Sequence, residues 1–142
     1  MSRSQMDLDL RHRLRAAGVR LTRQRLQLAR ILFTGGNRHV TAEVLRHEAE
    51  QAGTPVATGT VYNTLHCFAR AGLLREITVD SACNWFDTNT DSHHHFLHQG
   101  SGELEDIPEE DIRVAEVPEP PAGTRVAGLH VLVRLEEDRS VR

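Results

Sequence analysis

The chain has 142 residues, 39% of them hydrophobic, enough to bury a core but suited to one compact unit or two very small ones and not to a large enzyme. Its two cysteines, Cys67 and Cys83, stand in no paired spacing, which excludes a disulfide scaffold and an all-cysteine zinc site and fits a reducing compartment. The net charge of −3 conceals a division: residues 1–80 carry twelve arginines against seven acidic residues, net +5, and residues 81–142 carry five against thirteen, net −8.

Arginine supplies every positive charge, and nine arginines precede residue 39, where only Asp7 and Asp9 oppose them. A half so basic suggests a polyanion partner. The N-terminus is arginine-rich like a transit peptide, but Asp7 and Asp9 point to an ordinary amphipathic helix. No apolar run is long enough for a membrane span or a secretory signal, so a cytoplasmic protein with no membrane partner is expected.

Thr22 can cap a helix whose apolar positions Leu28, Ala29, Ile31 and Leu32 form one buried side, with Gly35-Gly36 as its stop. Thr41 opens a second helix, with Glu43 in its first turn, Leu45, Ala49 and Ala52 inward, and Gly53-Thr54-Pro55 as terminator. A third runs from about Thr58 to Ala71 with Val61, Leu65 and Phe68 on one face and Gly72 just past its end. Ala57 stands where a capping side chain is expected, so either Thr58 caps this helix or its start is frayed. Arg75 to Val79, a turn at residues 80–83, and Asn84 to Asp87 read as a β-hairpin. Three helices followed by a hairpin is the winged helix-turn-helix order.

With Val61, Leu65 and Phe68 inward, the third helix turns Thr58, Tyr62, Asn63 and His66 outward near its N-terminal end, the part that reaches base edges in the major groove. Asn63 can pair bidentately with adenine and the Tyr62 ring can pack on a thymine methyl. Arg23, Arg25 and Arg38 are candidates to hold phosphates. Cys67, inside this helix, and Cys83 read as structural or incidental thiols.

In the acidic half, residues 95–98 and 103–107 read as two strands around Gly100-Ser101-Gly102, and Arg125 to Leu135 as a third, with Val126, Leu129, Val131, Leu132 and Val133 as its apolar content. Pro108 to Ile112 looks like a helix start, which the prolines at 118, 120 and 121 end. Three strands and a helix over so few residues need a second copy to bury enough surface, so a homodimer is expected. Three consecutive histidines precede these strands. On an extended strand His93 and His95 point to the same face and can share a metal ion, while His94 points away.

Several motifs together resemble the ferric uptake regulator superfamily: Thr22-Arg23-Gln24-Arg25, His39-Val40-Thr41-Ala42-Glu43, Thr60-Val61-Tyr62-Asn63-Thr64-Leu65 with Ala71-Gly72-Leu73-Leu74, and Phe86-Asp87-Thr88-Asn89 leading to His93-His94-His95. Within it they look most like the iron response regulators of alphaproteobacteria, for which the Tyr-Asn pair, the triple histidine and a short cysteine-free C-terminal part are typical. The likeness runs from about Leu14 to Arg134.

The resemblance implies an α+β protein, with a winged-helix DNA-binding domain over residues 1–88 and a small α/β dimerisation domain over residues 89–142. Its implied partners are a second copy of the chain and an inverted-repeat double-stranded operator, and its implied activity is that of a transcription regulator such as a repressor, not an enzyme. A regulatory metal site in related members matches His39, Asp87, His93, His95 and Asp106 here. That set of nitrogen and oxygen donors suits Fe²⁺, Mn²⁺ or Zn²⁺. An ion shared across the two domains would fix their relative angle and so DNA affinity.

The departures are as informative. The first cysteine pair of the structural zinc site of many relatives falls at His98 and Ser101, and no later pair exists, so no such zinc is expected. A secondary site of some relatives would need an acid or histidine at Phe96 and Leu97, which leaves His94 without a partner. The iron response regulators are also described as haem-responsive. The Cys-Pro haem motif of some of them is lacking, so histidines would be the axial ligands, with His93, His94, His95, His47 and His66 as candidates. A peroxide sensor or a manganese or zinc sensor of the same superfamily is the alternative reading, and a metal-dependent hydrolase a remote one.

Overall fold

A computed structural model describes residues 2–79 and 84–140. The chain divides into two compact units, Met1–Thr90 and Asp91–Arg142, two residues beyond the boundary expected from the sequence.

In the first unit, α1 (Arg3–Ala16) starts at Ser2, whose Oγ accepts the Gln5 backbone N–H at 3.2 Å. It buries Leu10 and Leu14. Asp7, one turn before Leu10 on the same face, receives both a Nε–H and a Nη2–H bond from Arg30, each 2.7 Å, which ties α1 to the next helix. That hydrogen-bonded guanidinium holds the Asp7 carboxyl below its ordinary range. Helix α2 (Arg23–Phe33) is capped as the sequence predicts, Thr22 Oγ1 accepting from the Arg25 N–H at 3.1 Å. Leu26 joins Leu28, Ala29 and Leu32 on its buried side.

A short strand that the sequence does not announce, β1 (His39–Thr41), precedes α3 (Ala42–Gln51). Thr41 therefore serves twice, ending the strand and accepting the Val44 N–H at 3.2 Å as the helix cap. Ala52, expected to face inward, is exposed as the C-cap residue. The chain must turn away there: Gly53 adopts φ +76°, and the Thr54 N–H returns to the Ala49 carbonyl at 3.0 Å, the arrangement that closes a helix with glycine in the left-handed region.

Helix α4 (Thr58–Arg70) buries Val61, Thr64, Leu65 and Phe68. Ala57 occupies its N-cap position with no side-chain bond, and Thr58 is already the first helical residue. Strands β2 (Arg75–Thr78) and β3 (Asn84–Asp87) form the expected hairpin, whose turn at residues 80–83, including Cys83, lies outside the described residues. Both β1 and β2 pair with β3 antiparallel, giving the order β1-β3-β2. Phe86, fully buried at the centre of this sheet, joins one apolar cluster with Leu14, Leu28, Leu45, Leu65 and Phe68. Four helices and a three-stranded wing make a winged helix-turn-helix.

The second unit is a three-stranded sheet in the order β5-β4-β6. Strands β4 (His93–His98) and β5 (Glu103–Pro108) form a hairpin, and β6 (Leu132–Leu135) lies parallel to β4. Two expectations fail between them. The helix expected from Pro108 is a single 3-10 turn, Glu109–Asp111. Its acids suit a helix start, but Pro118 leaves too few residues after it to offset the cost of nucleation. The third strand begins at Leu132 and not at Arg125, and Val126 and Leu129 are exposed. No helix among the described residues is long and apolar enough to cross a membrane.

Because Phe68 is fully buried against α2 and the sheet, Phe68→Ala should lower unfolding free energy by about 3–5 kcal/mol. The Thr22→Ala cap deletion should cost only about 1 kcal/mol. Denaturant titration of the two variants checks both the size and the order of these losses.

Candidate metal centre and nucleic-acid interface

Antiparallel register places His39 of β1 directly opposite Asp87 at the end of β3. Their facing atoms, His39 Nε2 and Asp87 Oδ2, are 3.2 Å apart. The Asp87 side chain is 1% exposed, and its Oδ1 accepts the Asn89 backbone N–H at 2.9 Å. A carboxylate so buried needs compensation of this kind, and the strand pairing supplies it.

In the second unit, strand alternation puts His93 and His95 on one face of β4, and antiparallel register sets Asp106 of β5 opposite His95. The Nε2 atoms of both histidines lie 3.3 Å from Asp106 Oδ1, and their ring centroids are 4.5 Å apart. Two donors about 2.1 Å from one tetrahedral or octahedral ion stand about 3.0–3.4 Å from each other, so the spacing fits a shared cation. The His39 and Asp87 spacing fits the same requirement.

The other ring nitrogens are engaged. His93 Nδ1 is 2.6 Å from the Asp91 carbonyl, which can only accept, so Nδ1 carries a proton and the neutral ring keeps its lone pair on Nε2. His95 Nδ1 is 2.9 Å from His130 Nε2. His94 faces away from the pair, as alternation predicts, but it does have a partner: its Nδ1 accepts the Val131 N–H at 2.9 Å. Asp91, His130 and Val131 escape sequence reasoning because the contacts to residues 130 and 131 are made only when β6 pairs with β4. All three consecutive histidines are buried.

On the nucleic-acid side, Thr58, Tyr62 and Asn63 are exposed along the first turns of α4, Tyr62 by 47%. His66 is more committed: its Nδ1 lies 3.6 Å from Glu76 Oε2 on the wing, its edge meets Phe86 at 5.5 Å, and Tyr62 stacks on it at 6.4 Å. Glu76 also accepts from Asn84 Nδ2 at 2.8 Å. Arg23 is exposed at the start of α2 and, with Arg3, Arg11 and Arg30, lines a cavity of about 480 Å³. Arg25 donates to the Arg20 carbonyl at 2.9 Å. Arg38 is bound to Glu48 through contacts of 2.6 and 2.9 Å, so much of its charge is already neutralised. His47 stands on the exposed face of α3.

Residues 16–121 match the ferric uptake regulator family. The chain belongs to that family. Its members are transcription regulators and not enzymes, which leaves the hydrolase reading without support. The peroxide-responsive repressor PerR of Staphylococcus epidermidis is 32% identical over 94 residues, covering 66% of this chain, and the chain spans about 62% of that relative's length. The fold is shared with solved structures. The Pseudomonas aeruginosa ferric uptake regulator with manganese aligns at TM-score 0.69 and 24% identity over 91% of this chain and 98% of its own. The Vibrio cholerae ferric uptake regulator aligns at 0.68 and 18% over 88% and 97%, and a zinc-bound manganese uptake regulator at 0.61 and 19% over 90% and 98%.

Proposed function

We propose that this protein is a homodimeric, metal-responsive transcription regulator that binds inverted-repeat DNA in the cytoplasm. The observation that carries the reading is the convergence of His93 Nε2 and His95 Nε2 on one Asp106 oxygen in a chain that also has a winged helix-turn-helix. In this proposal His39 and Asp87 complete the shell of the same ion. Sharing that ion, the two units are held at one angle, and with it the spacing of two α4 helices in the dimer. Metal then changes DNA affinity by as much as it favours that arrangement.

Nitrogen and oxygen donors without thiolate suit Fe²⁺, Mn²⁺ or Zn²⁺. The motif likeness to the iron response regulators favours iron. For the haem response of those regulators the geometry gives less support: a haem iron takes axial ligands from opposite faces of the porphyrin, whereas the two Nε2 atoms lean on a single oxygen. His66 is held by Glu76 and Phe86, and His94 by the Val131 N–H. A peroxide-sensing reading is favoured by one observation, the 32% identity to staphylococcal peroxide-responsive repressors.

The double variant His93→Ala, His95→Ala should lose the metal-dependent change in DNA affinity while far-ultraviolet circular dichroism shows the winged helix still folded; an unchanged metal response sinks the site. Asn63→Ala should relax base preference by about 1–3 kcal/mol at one position, whereas Arg25→Ala should weaken all sequences alike and reduce the salt slope by about 1; binding to specific and random DNA over a salt series separates them. In the peroxide reading, treating the Fe²⁺-loaded protein with peroxide adds one oxygen atom to a peptide bearing His39 or residues 93–95, with loss of DNA binding. Intact histidines by mass spectrometry rule that reading out.

A further inference from the structure

His130 sits in an exposed stretch just before β6, far in sequence from the metal-binding strand, yet it is built onto that strand through a set of defined contacts. The His95 backbone N–H donates to the Val131 carbonyl at 3.2 Å, and the Val131 N–H donates to His94 Nδ1 at 2.9 Å. His130 Nε2 meets His95 Nδ1 at 2.9 Å, with the rings edge to face at 75° and 5.0 Å. The His94 ring stacks with His130 at 14° and 6.3 Å. His95 itself is fully buried with His130 in place.

The proton count on this pair has a consequence for coordination. A neutral imidazole carries one N–H and one lone pair. When His95 Nε2–H faces Asp106, 3.3 Å away, Nδ1 is the lone pair and His130 Nε2–H donates to it. To ligate through Nε2, His95 must carry its proton on Nδ1, and His130 Nε2 must then accept. A residue that both donates and accepts from one position serves both states. Histidine does so by changing tautomer.

We propose that His130 is a positioning residue for the metal centre, fixing the orientation of the His95 ring and the tautomer that presents Nε2 to the ion. The inference rests on the reading of His93, His95 and Asp106 as ligands, and it assigns His130 no place in the shell itself. Ligating histidines are generally oriented in this way by a partner on the far nitrogen, and loss of such a partner costs about 10–100-fold in metal affinity.

The test uses the full-length chain and Co²⁺ as the probe, following its visible absorption on titration. His130→Phe, which keeps a ring but neither donates nor accepts, should weaken Co²⁺ binding by about 10–100-fold. His130→Gln, whose amide does both, should recover most of that loss. Saturated spectra should match wild type in both variants, because the ligand set is unchanged, and the metal-free proteins should melt together. Wild-type affinity in His130→Phe overturns the proposal. So does an altered saturated spectrum, which would make His130 a ligand, and so does equal loss in His130→Phe and His130→Gln. If instead wild-type protein and His93→Ala, His95→Ala bind Co²⁺ alike, the metal-site reading itself has failed, independently of His130.

Discussion

A carboxylate that is 1% exposed cannot be left uncompensated, and Asp87 is such a group. Its compensation includes the His39 ring across the β1–β3 pairing and the Asn89 N–H just beyond the strand. The position of β1 therefore follows from more than three backbone pairs. The Arg38 N–H donates to Thr88 Oγ1 at 2.8 Å, and the Thr88 N–H returns to the Arg38 carbonyl at 3.0 Å, so the segments flanking His39 and Asp87 are clamped together. The clamp holds two candidate ligands at the edge of a winged helix and also fixes where α3 begins, since Thr41 ends β1 and caps that helix.

Helices were legible in the sequence because their signals are local. Thr22 and Thr41 as caps, Gly53 and Gly72 beyond the ends, and the spacing of Val61, Leu65 and Phe68 all act within a turn or two, and all reappear in the structure. The histidine alternation was legible for the same reason, since His93 and His95 share a face whatever pairs with them. What could not be read was short or distant. Three residues of β1 carry no periodicity, and Ala52 lies one position past the end of its helix, where the apolar rhythm still counts but the backbone has turned. The partner of His94 is invisible to local reasoning because its hydrogen bond comes from a residue thirty-seven positions away. The stretch after Pro108 looked helical because the sequence signs of a helix start are present, while proline removes the length a helix needs.

Charge counting overstated the basic surface in a similar way. Arg30 is bound to Asp7, Arg38 to Glu48, and Arg46 to both Glu43 and Glu50. Several of the arginines that give residues 1–80 their net +5 are thus engaged in holding α1, α2 and α3 in place. The exposed part of the basic charge is narrower than the composition implies and includes Arg23, Arg3 and Arg11 around the start of α2. The Tyr62, His66 and Glu76 contacts join α4 to the wing, so their relative position is set within the first unit.

The parallel pairing of β4 with β6 has a kinetic side. Antiparallel neighbours such as β4 and β5 meet through a turn of a few residues, but a parallel pair closes a long loop whose entropy must be spent before any of its hydrogen bonds form. Contacts so far apart in sequence are among the slowest to assemble. The strand bearing His93 and His95 therefore acquires its Asp106 partner early and its contacts to His130 and Val131 late. If His130 orients His95 as proposed, tight metal capture during refolding should lag behind hairpin formation.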